Sequence, residues 1–209
     1  MFNHFLLCRY NLALYSSNPY NVQDKDAWMV ERLPMFKRLL DSLENQTNKD
    51  FVLIFSIDAF TPKHFQVELA ELLNTYSFKW LGCTTQPREF IQTLKIEREW
   101  MITSRIDNDD EYYPKFIETI QNSFQSKREV LDVKGVQFDG KDYYKTNRRY
   151  PNSPFISLVE PSTERKTAQY RAHTSMNKFA PARFVSFDTL YIQHIHNNNV
   201  MNKISGDKL

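Results

Sequence analysis

Apolar positions along the chain fall into short continuous runs alternating with stripes at helical spacing, a pattern that predicts repeated strand–helix units. Phe5 to Tyr10 reads as a first strand carrying Arg9 near its end, followed by a polar, proline-containing loop from Ser16 to Tyr20. From Asp26 to Leu43 the apolar residues Trp28, Leu33, Phe36, Leu39, Leu40 and Leu43 recur every three or four positions. That spacing predicts a helix in which Pro34 must occupy the first turn or kink the axis. Asn45-Gln46-Thr47-Asn48 stops it. Phe51 to Ile57 is then apolar almost without a break and closes on Asp58, the mark of a strand covered on both faces in a parallel sheet. Phe65 to Leu73 predicts a helix, Phe78 to Cys83 a strand, Phe90 to Arg98 a short helix, and Trp100 to Ile106 another buried strand. Pro114 to Phe124 resumes helical spacing.

Beyond Lys127 the pattern changes. Val130 to Phe138, Tyr143-Tyr144 and Phe155 to Val159 are short β-like pieces broken by Asp139-Gly140, Pro151 and Pro154. Repeated strand–helix units imply a mostly parallel sheet, and ligands of such sheets sit beyond the carboxyl ends of the strands. Arg9, Asp58 and the segment Asp107 to Asp110 are expected to meet at that edge.

Composition narrows the classes. With 209 residues and 41% hydrophobic content the chain can bury one substantial core, so residues 1–209 are read as one domain with a change of character near 127. Lys plus Arg (27) nearly balances Asp plus Glu (25), and a net charge of +2 gives no field for general nucleic-acid binding. Cys8 and Cys83 are too few for a disulfide framework or a thiolate zinc site. The first ten residues lack the features of a secretory signal, and no run approaches the roughly 20 apolar residues of a membrane span. A cytoplasmic protein with no transmembrane segment is expected. Only four glycines are present, so neither a Rossmann nor a Walker phosphate loop can be written. Bound phosphates would need another source of positive charge, and a divalent metal on carboxylates supplies one.

The acidic run is the strongest candidate for chemistry. Asp107, Asp109, Asp110 and Glu111, with Asn108 between, crowd carboxylates at the exit of a buried strand, where a cation would relieve their repulsion. The simpler alternative is that Asp109 and Asp110 cap the next helix. An EF-hand is excluded because its sixth position would be Tyr112, where the calcium loop turns on glycine. His194-Ile195-His196 on a strand would put both imidazoles on one face, a geometry suited to a metal. Glu160, before Pro161, is expected at a strand end facing the cleft as a general base, and Asp110 joins it as a candidate catalytic carboxylate. Lys141, Lys145, Arg148 and Arg149, interleaved with Tyr143, Tyr144 and Tyr150, could line a wall for sugar and phosphate or form a solvated loop.

Ile102-Thr103-Ser104-Arg105-Ile106-Asp107-Asn108-Asp109-Asp110 resembles the strand-then-DxD signature of GT-A glycosyltransferases, and in particular the rhamnosyltransferase family. His4 to Leu12, Gln46-Thr47, Pro154 to Glu160 and His196-Asn197-Asn198-Asn199 extend the resemblance over nearly the whole chain. It implies a GT-A α/β fold in which 1–127 binds the nucleotide sugar and 128–209 lies on the acceptor side. It implies Mn²⁺ or Mg²⁺ on Asp109, with Asp107 on the metal or donor, and Asp58 facing the base. Arg9 would lie beside base or diphosphate, with Arg105 and Asn108 completing the donor-binding set. The family's His-Gly-x-Asn element lacks its glycine here, which weakens the transfer of a ligand role to His196. The expected reaction moves rhamnose or a related hexose from a UDP- or dTDP-linked donor to a glycan hydroxyl. Two rivals stand beside it: a metal-dependent phosphoesterase using His194, His196 and Asp107, and a noncatalytic carbohydrate- or nucleotide-binding module.

Overall fold

The computed structural model describes residues 1–19, 21–146, 153–196 and 203–209. Arg148, Arg149, Tyr150 and Asn197-Asn198-Asn199 therefore lie outside the described residues. The chain runs β1 (Phe2–Arg9), α1 (Lys25–Glu44), β2 (Val52–Ser56), α2 (Lys63–Leu73), β3 (Lys79–Cys83), α3 (Pro87–Thr93) and β4 (Trp100–Asp107). It continues through β5 (Glu111–Tyr112), α4 (Phe116–Asn122), β6 (Glu129–Phe138), β7 (Tyr143–Lys145), β8 (Ser157–Pro161) and β9 (Ala182–His194).

Among the described residues nine strands join one sheet in the order β3-β2-β1-β4-β8-β6-β9-β5, with β7 added to β6. From β3 to β4 every pairing is parallel, whereas β8 enters antiparallel to both β4 and β6. The α/β architecture with a parallel central sheet matches the expectation, and the later half is the mixed part.

The pleat of β1 sorts the core. Leu6 and Cys8 join α1, α2 and the large cluster containing Phe36, Leu40 and Phe55, while Phe5 and Leu7 face Ile91 of α3 and Met101. Helix α1 is capped by Asp24, whose carboxylate accepts the Ala27 N–H at 2.8 Å. Pro34 lies inside α1 rather than in its first turn; its missing donor falls on Val30, which is solvent-exposed, so the orphaned carbonyl can be hydrated. The buried stripe of α1 is Met29, Arg32, Phe36, Leu39, Leu40 and Leu43, and a charged residue thus stands within an apolar face.

Two boundaries differ from expectation. Helix α3 covers 87–93 rather than 90–98, because Pro87 takes the first helical position and Leu94 is already extended. Strand β9 was not expected from the hydrophobic pattern. Its exposed middle and the register shifts against β6 break the two-residue alternation on which such a reading depends.

One buried titratable group lies deep in this core. His4 is 3% exposed, its Nε2 is 2.9 Å from Ser104 Oγ, and burial lowers its pKa from 6.5 to about 3. The folded state therefore resists a proton that the unfolded chain accepts. His4 contributes stability that is complete above pH 6.5 and is lost as pH falls toward about 3, at about 1.4 kcal/mol per pH unit. Urea midpoints for wild type and His4→Gln, compared at about pH 6 and about pH 4, are expected to fall less steeply with acid in the variant.

Candidate functional site

The carboxyl ends of β1, β2 and β4 form the edge at which ligands are expected, and β4 divides its residues between two faces there. Arg105 and Asp107 project to one side and Ile106 and Asn108 to the other. Register pairs Arg9 with Asp107 and Leu7 with Arg105, so Arg9, Arg105 and Asp107 share a face.

On that face the chemistry is open. Among the described residues, the guanidinium groups of Arg9 and Arg105 and the carboxylate of Asp107 have no hydrogen bond or ion pair. Burial lowers the pKa of Arg105 from its ordinary value, with Arg9 pushing the same way and Asp107 opposing. Two like charges beside one carboxylate leave an excess of positive charge, which an anion would relieve.

On the opposite face the charges are already paired. The Asp109 carboxylate is 2.6 Å from Arg32 Nη1 and 2.9 Å from His196 Nε2. Burial works to raise its pKa, but the hydrogen bond from His196 and the charge of Arg32 outweigh burial and hold it below the usual range. Arg32 also donates to Asn108 Oδ1 at 3.3 Å and packs over the Trp28 ring. Arg38 donates to the Asp109 carbonyl at 3.0 Å and lies 3.3 Å from Glu111. Helix α1 thus supplies the cations that the acidic run demands. The sequence reading missed both, although the helical phase alone places Arg32 between Met29 and Phe36.

Several expected site residues serve the architecture instead. Asn108 is buried and donates to the Tyr10 carbonyl at 2.6 Å, tying the end of β1 to that of β4. Asp110 is 1% exposed and its Oδ1 accepts the His194 N–H at 2.8 Å, so it is sealed from an acceptor and anchors β9. Burial, then the charges of Asp109 and Asp107, push its pKa well up. Asp58 is also 1% exposed. Its Oδ2 accepts Tyr15 N, Ser16 N and Ser16 Oγ, and its Oδ1 accepts Phe60 N, leaving it saturated by the 11–17 loop rather than open to a base. Those donors hold its carboxyl below the usual range against burial.

Glu160 is not brought to this edge. Because β8 runs antiparallel to β4, its last residues pair with the start of β4, and Glu160 lies opposite Met101. There it is fully buried and accepts the N–H groups of Lys166 and Thr167 at 3.0 and 2.7 Å. Burial raises its pKa, the two N–H donors opposing.

The two histidines also part company. His194 ends β9 and sits 2.6 Å from Glu111, while His196 turns to Asp109, so the pair does not converge on one water as a phosphoesterase centre requires.

Among the described residues no three His, Cys, Asp or Glu side chains converge on one point, so Asp107 does not join Asp109 and His196. Two protein ligands are compatible with a magnesium-type ion, which binds through one or two carboxylates and takes the rest from phosphate and water. The 2.9 Å between Asp109 Oδ2 and His196 Nε2 equals the ~3 Å between neighbouring ligands in an octahedron with bonds of about 2.1 Å. These two side chains are the ones that would hold such an ion, and Arg32 already stands 2.6 Å from the same Asp109 oxygen.

The crystal structure of S. aureus TarS superposes with a TM-score of 0.53 at 14% identity, over 92% of this chain and 37% of that one. Its 1–349 fragment gives 0.54, and that fragment in complex with UDP gives 0.50, each at 14% identity over 92% of this chain and 60% of theirs. The chain thus spans less than two thirds of these TarS structures, and at this identity the likeness concerns the fold, which is that of GT-A nucleotide-sugar transferases. No curated protein matches the sequence. The family described as "Putative rhamnosyl transferase" matches residues 4–208, and the chain belongs to it.

Proposed function

We propose that this chain transfers rhamnose or a related hexose from a UDP- or dTDP-linked donor to a hydroxyl of a glycan acceptor. The observation that carries the reading is the pair of uncommitted guanidinium groups, Arg9 and Arg105, beside Asp107 at the carboxyl edge of a GT-A sheet. A planar guanidinium takes phosphate oxygens in pairs, and two of them match the charge of a diphosphate. The TarS fragment, which shares this fold, has been crystallised with UDP.

In the reaction the acceptor hydroxyl attacks the anomeric carbon and gives its proton to water or to the leaving phosphate, while the bond from that carbon to the diphosphate breaks and negative charge grows on the departing nucleotide. Arg9 and Arg105 bind the diphosphate and meet that charge as it develops. Asp107 lies beside them, and its charge favours the protonated form of Arg105. Mn²⁺ or Mg²⁺ held by Asp109 and His196 would supply further neutralisation of the leaving group. Arg32 and Arg38 hold Asp109 through its carboxylate and its carbonyl.

Calorimetric titration of UDP and dTDP in the presence of Mn²⁺ tests the reading. Arg105→Met is expected to weaken nucleotide binding about tenfold to a hundredfold, the worth of a charge-assisted hydrogen bond. Unchanged affinity in that variant would reject the diphosphate site, and affinity indifferent to Mn²⁺ would reject the metal.

A further inference from the structure

A segment remote in sequence doubles back across the same face of the sheet as Arg9 and Arg105. After β8 ends at Pro161, the chain turns beyond the start of β4, where Ser162 N donates to the Glu99 carbonyl at 2.9 Å. Arg165 donates to the Gln92 carbonyl of α3 at 2.8 Å, and Gln92 Nε2 returns a bond to the Arg165 carbonyl at 2.6 Å. Glu160 then accepts the N–H groups of Lys166 and Thr167, and Ala168 N donates to Thr103 Oγ1 on β4 at 2.8 Å. Arg165 and Thr167 hold left-handed backbone angles, with φ of 51° and 69°. Non-glycine residues there cost about 1–3 kcal/mol each and persist where their surroundings over-determine them.

This strap delivers Gln169 to Leu7. The Gln169 Nε2 approaches the Leu7 carbonyl at 3.5 Å, the outer limit of a hydrogen bond, and its Oε1 is buried with no hydrogen-bond partner. Arg105 is the cross-strand neighbour of Leu7, and Arg9 is the next residue of β1 on that face. The side chain that carries this unpaired acceptor thus reaches the β1 residue that pairs with Arg105 and lies two before Arg9. A buried amide oxygen without a partner costs about 1–3 kcal/mol.

We infer that Gln169 reads the donor, its side-chain oxygen accepting a hydrogen from a hydroxyl of the nucleotide sugar held by Arg9 and Arg105. This deepens the proposed transferase reading and rests on it. The hydroxyl belongs either to the ribose or to the transferred sugar, which share this chemistry. Glu160, the anchor of the strap, is on this account a positioning residue.

The test titrates UDP and UDP-glucose, each with Mn²⁺, into wild type, Gln169→Met and Gln169→Ala. Methionine keeps the bulk and removes the amide, and alanine carries the same comparison if the first variant does not fold. Affinity is expected to fall about three- to tenfold, the worth of one neutral hydrogen bond, while the melting temperature without nucleotide stays level or rises because the orphaned oxygen is gone. Equal losses for both ligands assign the contact to the nucleoside, and a loss confined to UDP-glucose assigns it to the sugar. Wild-type affinity for both ligands in the variants overturns the inference and leaves the transferase reading standing. Weaker binding accompanied by a lowered melting temperature also overturns it, marking Gln169 as structural. Absence of nucleotide binding in wild type overturns both.

Discussion

Arg32→Met is expected to destabilise the fold by about 3–5 kcal/mol and to reduce sugar transfer severely in the molecules that remain folded. The magnitude follows from what the substitution leaves behind. Asp109 is 6% exposed and its Oδ2 meets Arg32 at 2.6 Å, so removing the guanidinium leaves a desolvated carboxylate beside Asp110. A well-packed apolar replacement for both partners can be neutral, but loss of one partner is costly because the other charge stays buried. The double variant Arg32→Met/Asp109→Leu is therefore expected to recover much of the stability and none of the activity. Urea denaturation of the four members of this cycle, followed by a transfer assay on each, checks the expectation. Additive losses would show that Arg32 and Asp109 do not act as a pair. Arg32→Lys separates charge from stacking, since both contacts to Asn108 and Asp109 come from Nη1 and an ammonium at that point could make them, while the flat packing over Trp28 would be lost.

The second large effect is steric. Gly135 of β6 pairs with Tyr191 of β9, and a methyl group added at this glycine would lie 2.3 to 2.4 Å from three atoms of the Tyr191 ring. The ring has little room to retreat, because it is 1% exposed and stacked on Phe155 with centroids 3.9 Å apart. Gly135→Ala is expected to cost about 3 kcal/mol, the upper part of the usual range for overpacking. Measured urea midpoints should show the loss, and Gly135→Ala/Tyr191→Leu should be less unstable than the two single changes summed. The strain also bears on the acidic run, since Tyr191 and Ile192 pair with Tyr112 and Glu111 in β5.

The parts of the molecule legible in the sequence are those whose information is local. Continuous apolar runs mark β1, β2 and β4 because a strand covered on both faces needs no polar alternation, and the α1 stripe follows from its periodicity. Pro87 marks the start of α3, a signal outweighed in the reading by Phe90 and Ile91. The acidic run was visible as a concentration of charge, whereas its partners were not. Arg38 meets Glu111 from a helix far upstream, and a local pattern says nothing of such pairings. Strand direction was equally hidden. Glu160 looks like a cleft residue until β8 is known to run against β4, and Asp58 looks available until the 11–17 loop closes on it.

The way β9 fastens the acidic run bears on how the protein acquires its activity. Asp109, Asp110 and Glu111 are held by His196 and His194, 87, 84 and 83 positions later in the chain. Contacts of such long sequence separation pay a large loop-closure entropy and tend to form late. During synthesis, the parallel strands β1 to β4 can associate while these carboxylates still lack the backbone and imidazole partners that His194 and His196 supply. Catalytic competence is then the last thing folding delivers, and a nascent chain halted before β9 would carry a nearly complete sheet whose acidic corner is still unassembled.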